Sequence, residues 1–157
     1  MTPPATERPE LWQRAVDVIR REPPARQGPL LHRDFHPGNV LCTGTHGDPR
    51  IGGVVDRVES SWGPADLDVV HCSTALALLH GSPAGMHFAD RNLAAGGTLS
   101  DGDAAHLYRR LPDALDLAPD AEKVAVAWRE LGRVDLTASV LTQRLEGYVE
   151  SLFMRYA

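Results

Sequence analysis

The chain has 157 residues, 43% of them hydrophobic, which is enough for one domain with a core of its own. Its formal charge of −5 and pI near 5.7 argue against the basic face of a nucleic-acid binder and are compatible with a cationic small-molecule partner. No apolar run approaches the roughly 20 residues needed to span a bilayer, and Met1-Thr2-Pro3-Pro4-Ala5 lacks the features of a signal peptide, so a cytoplasmic chain with no membrane partner is expected.

The Pro-rich residues 1–8 are expected to be disordered, and residues 9–157 to form a single domain. From Pro9 to Arg21 the pattern Leu11, Trp12, Ala15, Val16, Ile19 predicts an amphipathic helix that Pro23-Pro24 stops. Residues 29–32 read as a short buried strand. Val40-Leu41-Cys42 and Arg50 to Val55 read as a hairpin, joined through the turn-rich Gly44-Thr45-His46-Gly47-Asp48-Pro49.

After Asp56 the pattern is helical. Gly63-Pro64 opens a helix that is apolar nearly all round from Val69 to Leu79 and should therefore be buried. Gly81-Ser82-Pro83 breaks it. Residues 84–118 predict shorter helices separated by Gly96-Gly97 and by Pro112. Asp120 precedes a helix to Leu131, and Thr137 can cap a last one carrying Leu141, Leu145, Tyr148, Val149 and Leu152. Cys42 and Cys72 are expected to be two buried, reduced thiols.

The chemistry lies in Leu30-Leu31-His32-Arg33-Asp34-Phe35-His36-Pro37-Gly38-Asn39-Val40-Leu41. An acid and an amide five residues apart stand in a polar loop between apolar runs, and Asp56 ends the next apolar run, Ile51-Gly52-Gly53-Val54-Val55. Phosphoryl transfer needs such a set: one carboxylate to orient an acceptor hydroxyl, and an amide oxygen and a second acid to hold magnesium on nucleotide phosphates. Asp34 or Asn39 alone would be read as an ordinary turn residue. The ordered set of three is harder to explain that way. His32 and His36 flanking Asp34 also admit a zinc hydrolase, but no third His or Cys stands nearby at ligand spacing, and His71-Cys72 lies in an apolar context. The acids Asp101, Asp103, Asp113, Asp116, Asp120 and Glu122 suit either a cationic-substrate site or solvated helix ends.

His32-Arg33-Asp34-Phe35-His36-Pro37-Gly38-Asn39 resembles the catalytic loop of the aminoglycoside phosphotransferase and choline kinase group of the protein-kinase-like fold. Gly53-Val54-Val55-Asp56 resembles its second metal motif, and Ser61-Trp62-Gly63-Pro64-Ala65-Asp66-Leu67-Asp68 the bracing segment that follows. The resemblance implies an α+β fold, the mostly helical C-terminal lobe of a kinase, with a short β-hairpin carrying the active site. By it Asp34 is catalytic, Asn39 and Asp56 are metal ligands, and His32, His36 and Asp68 are supporting residues; the role of His36 is left open. The cofactors implied are Mg2+ and ATP or GTP as donor, and the partner is a small-molecule hydroxyl acceptor.

Kinase-like enzymes hold their nucleotide under a Gly-rich loop with a strand-borne lysine. Here the only lysine is Lys123, and a single glycine, Gly28, precedes His32. No nucleotide-binding lysine is therefore assigned, and although Arg14, Arg20, Arg21 or Arg26 could contact phosphate, nothing in the sequence places them where that lysine would sit. The N-terminal lobe is expected to be absent, supplied by upstream sequence or by another chain. A non-catalytic ligand- or partner-binding remnant is the alternative. Arg57 stands where the family favours a large apolar residue, and could pair with a phosphate or with Glu59.

Overall fold

A computed structural model describes residues 6–24 and 28–157. The Pro-rich start through Ala5, and Arg26, lie outside the described residues. Helix α1 (Pro9–Ile19) opens on a proline in its first turn, where the missing N–H costs no hydrogen bond. It buries Trp12, Ala15 and Val16 against the remaining helices. The residues before it are tied down: the Thr6 hydroxyl donates to the buried Glu146 carboxylate, which also accepts from the Trp12 indole, and Arg8 pairs with Glu150 at 2.8 Å. Thr6 to Arg8 are thus anchored, where disorder is expected from composition.

Two small antiparallel sheets follow. Strand β1 (Leu30–Leu31) pairs with β4 (Ser61–Trp62), a partner the sequence does not announce, and β2 (Val40–Thr45) pairs with β3 (Asp48–Val54). The hairpin is longer than the turn residues suggest, because Gly44 and Pro49 face each other inside the ladder and only His46-Gly47 connect the strands. Pro49 is tolerated because, among the described residues, neither strand has a further neighbour that would need its N–H. Most of the hairpin is exposed, Cys42 included, while Cys72 is buried and its thiol is pushed up to about 12 by desolvation. The expectation of two buried thiols holds for Cys72 alone, since a two-stranded ribbon standing off the body has no interior in which to bury Cys42.

The body is helical: α2 (Asp66–His80), α3 (Ser82–Ala94), α4 (Asp103–Leu117), α5 (Val126–Glu130) and α6 (Ala138–Tyr156). Helix α2 is the central one, with Leu78 and Leu79 in the core beside Leu111, Leu141 and Leu152. Its last carbonyls, on Leu78 and Leu79, accept from Arg144 at 2.9 Å, so the helix end is satisfied by cations that also suit its dipole. Thr137 caps α6 by accepting from the Val140 N–H.

Two expectations fail here. Pro112 does not divide α4, because Leu107, Leu111, Ala114 and Leu115 form one buried face whose packing outweighs the roughly 3 kcal/mol of an interior proline. Conversely, no long helix follows Asp120. Ala118–Ala125 is 3-10 structure broken at Asp120, whose φ of −152° is not helical, and only Val126–Glu130 is α.

Helix α3 packs closely on α2 at Gly85. A Cβ there would overlap the Ser73 carbonyl oxygen and stand 2.9 Å from Ala77 Cβ and 3.1 Å from the Tyr148 ring. Gly85→Ala is expected to destabilise the fold by about 1–3 kcal/mol through overpacking against rigid backbone, despite alanine's better helix propensity. Urea unfolding beside an exposed control, Gly97→Ala excepted because it meets Asn92, will measure it.

Candidate functional site

Strand β1 sends Leu31 into the core and delivers the polar loop to the start of α2. Arg33 there has a φ of 75°, left-handed backbone that a non-glycine residue holds only when its surroundings enforce it. The enforcing group is Asp68 in the first turn of α2: its carboxylate accepts from the His32 N–H at 2.8 Å and the Arg33 N–H at 2.7 Å. Each is a charge-assisted bond, so the loop bend is fastened to the helix carrying the core. His32, buried, reaches the other way and shares a 2.8 Å hydrogen bond with the Val55 carbonyl beside Asp56.

The Asn39 amide nitrogen lies 2.9 Å from the Asp34 carbonyl and 3.0 Å from its Oδ2. Both neighbours are acceptors, so nitrogen must face them and Oδ1 is left for another partner. The Val55 N–H donates to the Asn39 carbonyl at 3.0 Å, continuing the hairpin ladder. Asn39 and Asp56 therefore leave the same end of the hairpin, one entering β2 and the other leaving β3. Asp56 is exposed, has a φ of 61°, and among the described residues forms no hydrogen bond or ion pair.

Around Asp34 stand two histidines in different states. His36 Nδ1 accepts from the Gly38 N–H at 3.1 Å, so its proton is on Nε2, 3.6 Å from Asp34 Oδ1. Glycine at residue 38 lets the imidazole fold this close, since a Cβ there would stand 2.7 Å from the ring and push it aside. Burial is the main cause holding His36 below the ordinary imidazole range, with Asp34 opposing it. The second is His71, which the sequence reading set aside as lying in an apolar context. It sits one turn after Asp68 on the same face of α2, with Nε2 3.2 Å from Asp34 Oδ1 and Nδ1 2.8 Å from Asp113 Oδ1. The hydrogen bond to Asp113 is the main cause raising His71 above the ordinary range. The signal was available: a histidine inside an otherwise apolar helix is the informative residue, not its neighbours.

Asp34, His36 and His71 form one wall of a cleft of about 290 Å3 completed by Asp116, Lys123 and Trp128. The acids named from sequence thus separate. Asp113 and Asp116 come to the site, Asp101 and Asp103 line a different cleft, and Glu122 pairs with Arg129 at 2.8 Å. Lys123, remote in sequence, lines the same cleft as Asp34. Arg57 pairs with no carboxylate among the described residues and borders a small cleft with His32 and Asp68. Among the described residues no three His, Cys, Asp or Glu side chains are grouped to hold a metal ion. A magnesium site completed by nucleotide phosphates and water does not need such a group. Among the described residues no helix is long and apolar enough to cross a membrane.

Fold and site together define an α+β protein, mostly helical, whose polar loop brings an acid, an amide and a second acid to the edge of a hairpin. Residues 2–111 match the phosphotransferase enzyme family (APH). That span includes the loop, the hairpin and Asp68, and the chain belongs to this family of phosphotransferases. No curated protein and no solved structure matches the chain.

Proposed function

We propose that the chain is the catalytic, kinase-like lobe of an enzyme that moves the γ-phosphoryl group of ATP or GTP to a hydroxyl of a small molecule, with magnesium. The observation that carries the reading is the fixed Asp34–Asn39 pair, whose amide nitrogen grips the acid and leaves its oxygen to another partner, at the end of the hairpin that exposed Asp56 also leaves. Asp34 would accept a hydrogen bond from the acceptor hydroxyl and hold it in line with phosphorus, the step on which a loose transition state depends. Asn39 Oδ1 and the Asp56 carboxylate are hard oxygen donors and would hold magnesium, which would neutralise charge on the phosphates. His32 and Asp68 would keep the loop in shape. The cleft with Asp116 is a natural entry for the acceptor, and its acids suit a cationic one.

The remaining nucleotide contacts would come from a further lobe, supplied by other sequence or another chain. Leu41, Ile51, Val58 and Trp62, exposed on and beside the two small sheets, are the apolar surface such a lobe would cover. Calorimetric titration with ATP and with GTP, with and without magnesium, tests the proposal. Magnesium-dependent binding is expected, falling at least about tenfold in Asp56→Ala. Binding indifferent to magnesium and to Asp56 would point instead to a non-catalytic ligand-binding protein.

A further inference from the structure

We propose that His71, clamped by Asp113, is a positioning residue for the Asp34 carboxylate, and that it works as the doubly protonated imidazolium. The inference rests on Asp34 being the acceptor-orienting acid.

The argument is one of donors and acceptors. His71 meets a carboxylate oxygen at each ring nitrogen, Asp113 Oδ1 at 2.8 Å and Asp34 Oδ1 at 3.2 Å. An ionised carboxylate only accepts, so the Nδ1 hydrogen bond and the Nε2 ion-pair approach are both favourable only if both nitrogens carry protons. In either neutral tautomer one lone pair would face a carboxylate oxygen, and one contact would be lost. His36, 5.8 Å away ring to ring, cannot take over. Its Nδ1 is committed to Gly38, and its Nε2 stands 3.6 Å from Asp34. The Asp34 carboxylate is thereby held at both oxygens, Oδ2 by the Asn39 amide and Oδ1 by His71. A carboxylate fixed this way has lost the rotation about its Cβ–Cγ bond that would misaim an acceptor hydroxyl.

Charged groups face His71 from every element packed around it. The loop supplies Asp34, His36 and Arg33; α4 supplies Asp113, Asp116 and Arg109; Lys123 comes from the 3-10 segment, and Asp68 shares α2. Among the described residues Asp113 hydrogen-bonds the ring and Asp34 approaches it within ion-pair distance. Because the ring proton is lost as pH rises through the raised folded-state pKa, the clamp is complete below that pKa, while both carboxylates stay ionised, and opens above it. Activity should therefore fall at alkaline pH in step with His71 deprotonation.

Long-range 1H–15N NMR of the 15N-labelled chain tests this without any ligand, with His71→Gln assigning the resonance. His71 is expected to keep both ring protons above the ordinary imidazole midpoint of about 6.5, and to lose that elevation in Asp113→Asn and in Asp34→Asn. A midpoint at or below the ordinary value, or one unmoved by Asp34→Asn, overturns the clamp. Turnover of Mg·ATP with water as acceptor then reads the positioning role. His71→Gln and Asp113→Asn, checked for folding by circular dichroism, should each lower kcat about tenfold at unchanged KM for Mg·ATP and abolish the alkaline fall. Loss of turnover in Asp34→Asn with normal rate and pH profile in His71→Gln overturns the inference alone. Full turnover in Asp34→Asn overturns the phosphoryl-transfer reading beneath it. If the chain turns nothing over, the NMR result decides the clamp by itself.

Discussion

Asp34→Asn is expected to lower phosphoryl transfer by about 10²–10⁴-fold, the range for loss of a positioned acid–base group, while Mg-dependent nucleotide affinity stays within about twofold. The substitution preserves size and keeps one oxygen for the Asn39 amide, so the loop should retain its shape. What it removes is the charge that, in the proposed reaction, would accept the acceptor's proton as the phosphorus–oxygen bond forms. Asp34 touches neither Asp56 nor the free Asn39 oxygen, since its contacts are the Asn39 nitrogen and the two histidines. That separation is why affinity and rate should part company. Single-turnover 31P NMR with an acceptor found by hydroxyl-compound screening, beside calorimetry on the same sample, checks both. Equal losses of rate and affinity would place Asp34 in nucleotide binding instead.

How far the sequence foretold this site depends on whether the determinant is local. The loop, the hairpin after it and the acid closing β3 are contiguous, and turn residues between apolar runs make them readable. Thr137 and the burial of α2 are local too, a cap and an all-apolar period. What escaped are consequences of packing. The β1–β4 pairing joins Leu30 to Trp62 and Leu31 to Ser61 through two-residue strands that carry no periodicity. At Pro112 local backbone chemistry opposes helix, and tertiary burial overrides it. His71, Asp113 and Lys123 belong to the site only because α4 and the 3-10 segment return to the loop. Asp113 was visible as an acid, but nothing local distinguished it from Asp101.

Asp68→Ala should disable the site without touching any group proposed to meet substrate. The carboxylate holds two backbone N–H groups, and one belongs to Arg33, whose φ of 75° is unfavourable for a side-chain-bearing residue by roughly 1–2 kcal/mol. Removing it takes away two bonds to a charge, each of about 1.5–3 kcal/mol, although water can reach the exposed Arg33 amide and recover part of that. A net local loss of about 2 kcal/mol exceeds the strain it opposes, so the loop should relax toward right-handed backbone and carry Asp34 away from Asn39 and His71. Loss of the acid's favourable position in the first turn of α2 adds only about 0.3–1 kcal/mol, and Asp66, which binds Ser100, remains to serve that turn. The expected signature is therefore uneven: about 10²-fold slower phosphoryl transfer, faster hydrogen exchange at His32 and Arg33, and nearly unchanged exchange in α4 and α6. Asp68→Asn, with a single acceptor oxygen, can restore at most one of the two bonds and should fall between. Uniformly faster exchange across the core would instead make Asp68 a determinant of global stability, and the brace between helix and loop would lose its claim to serve the chemistry.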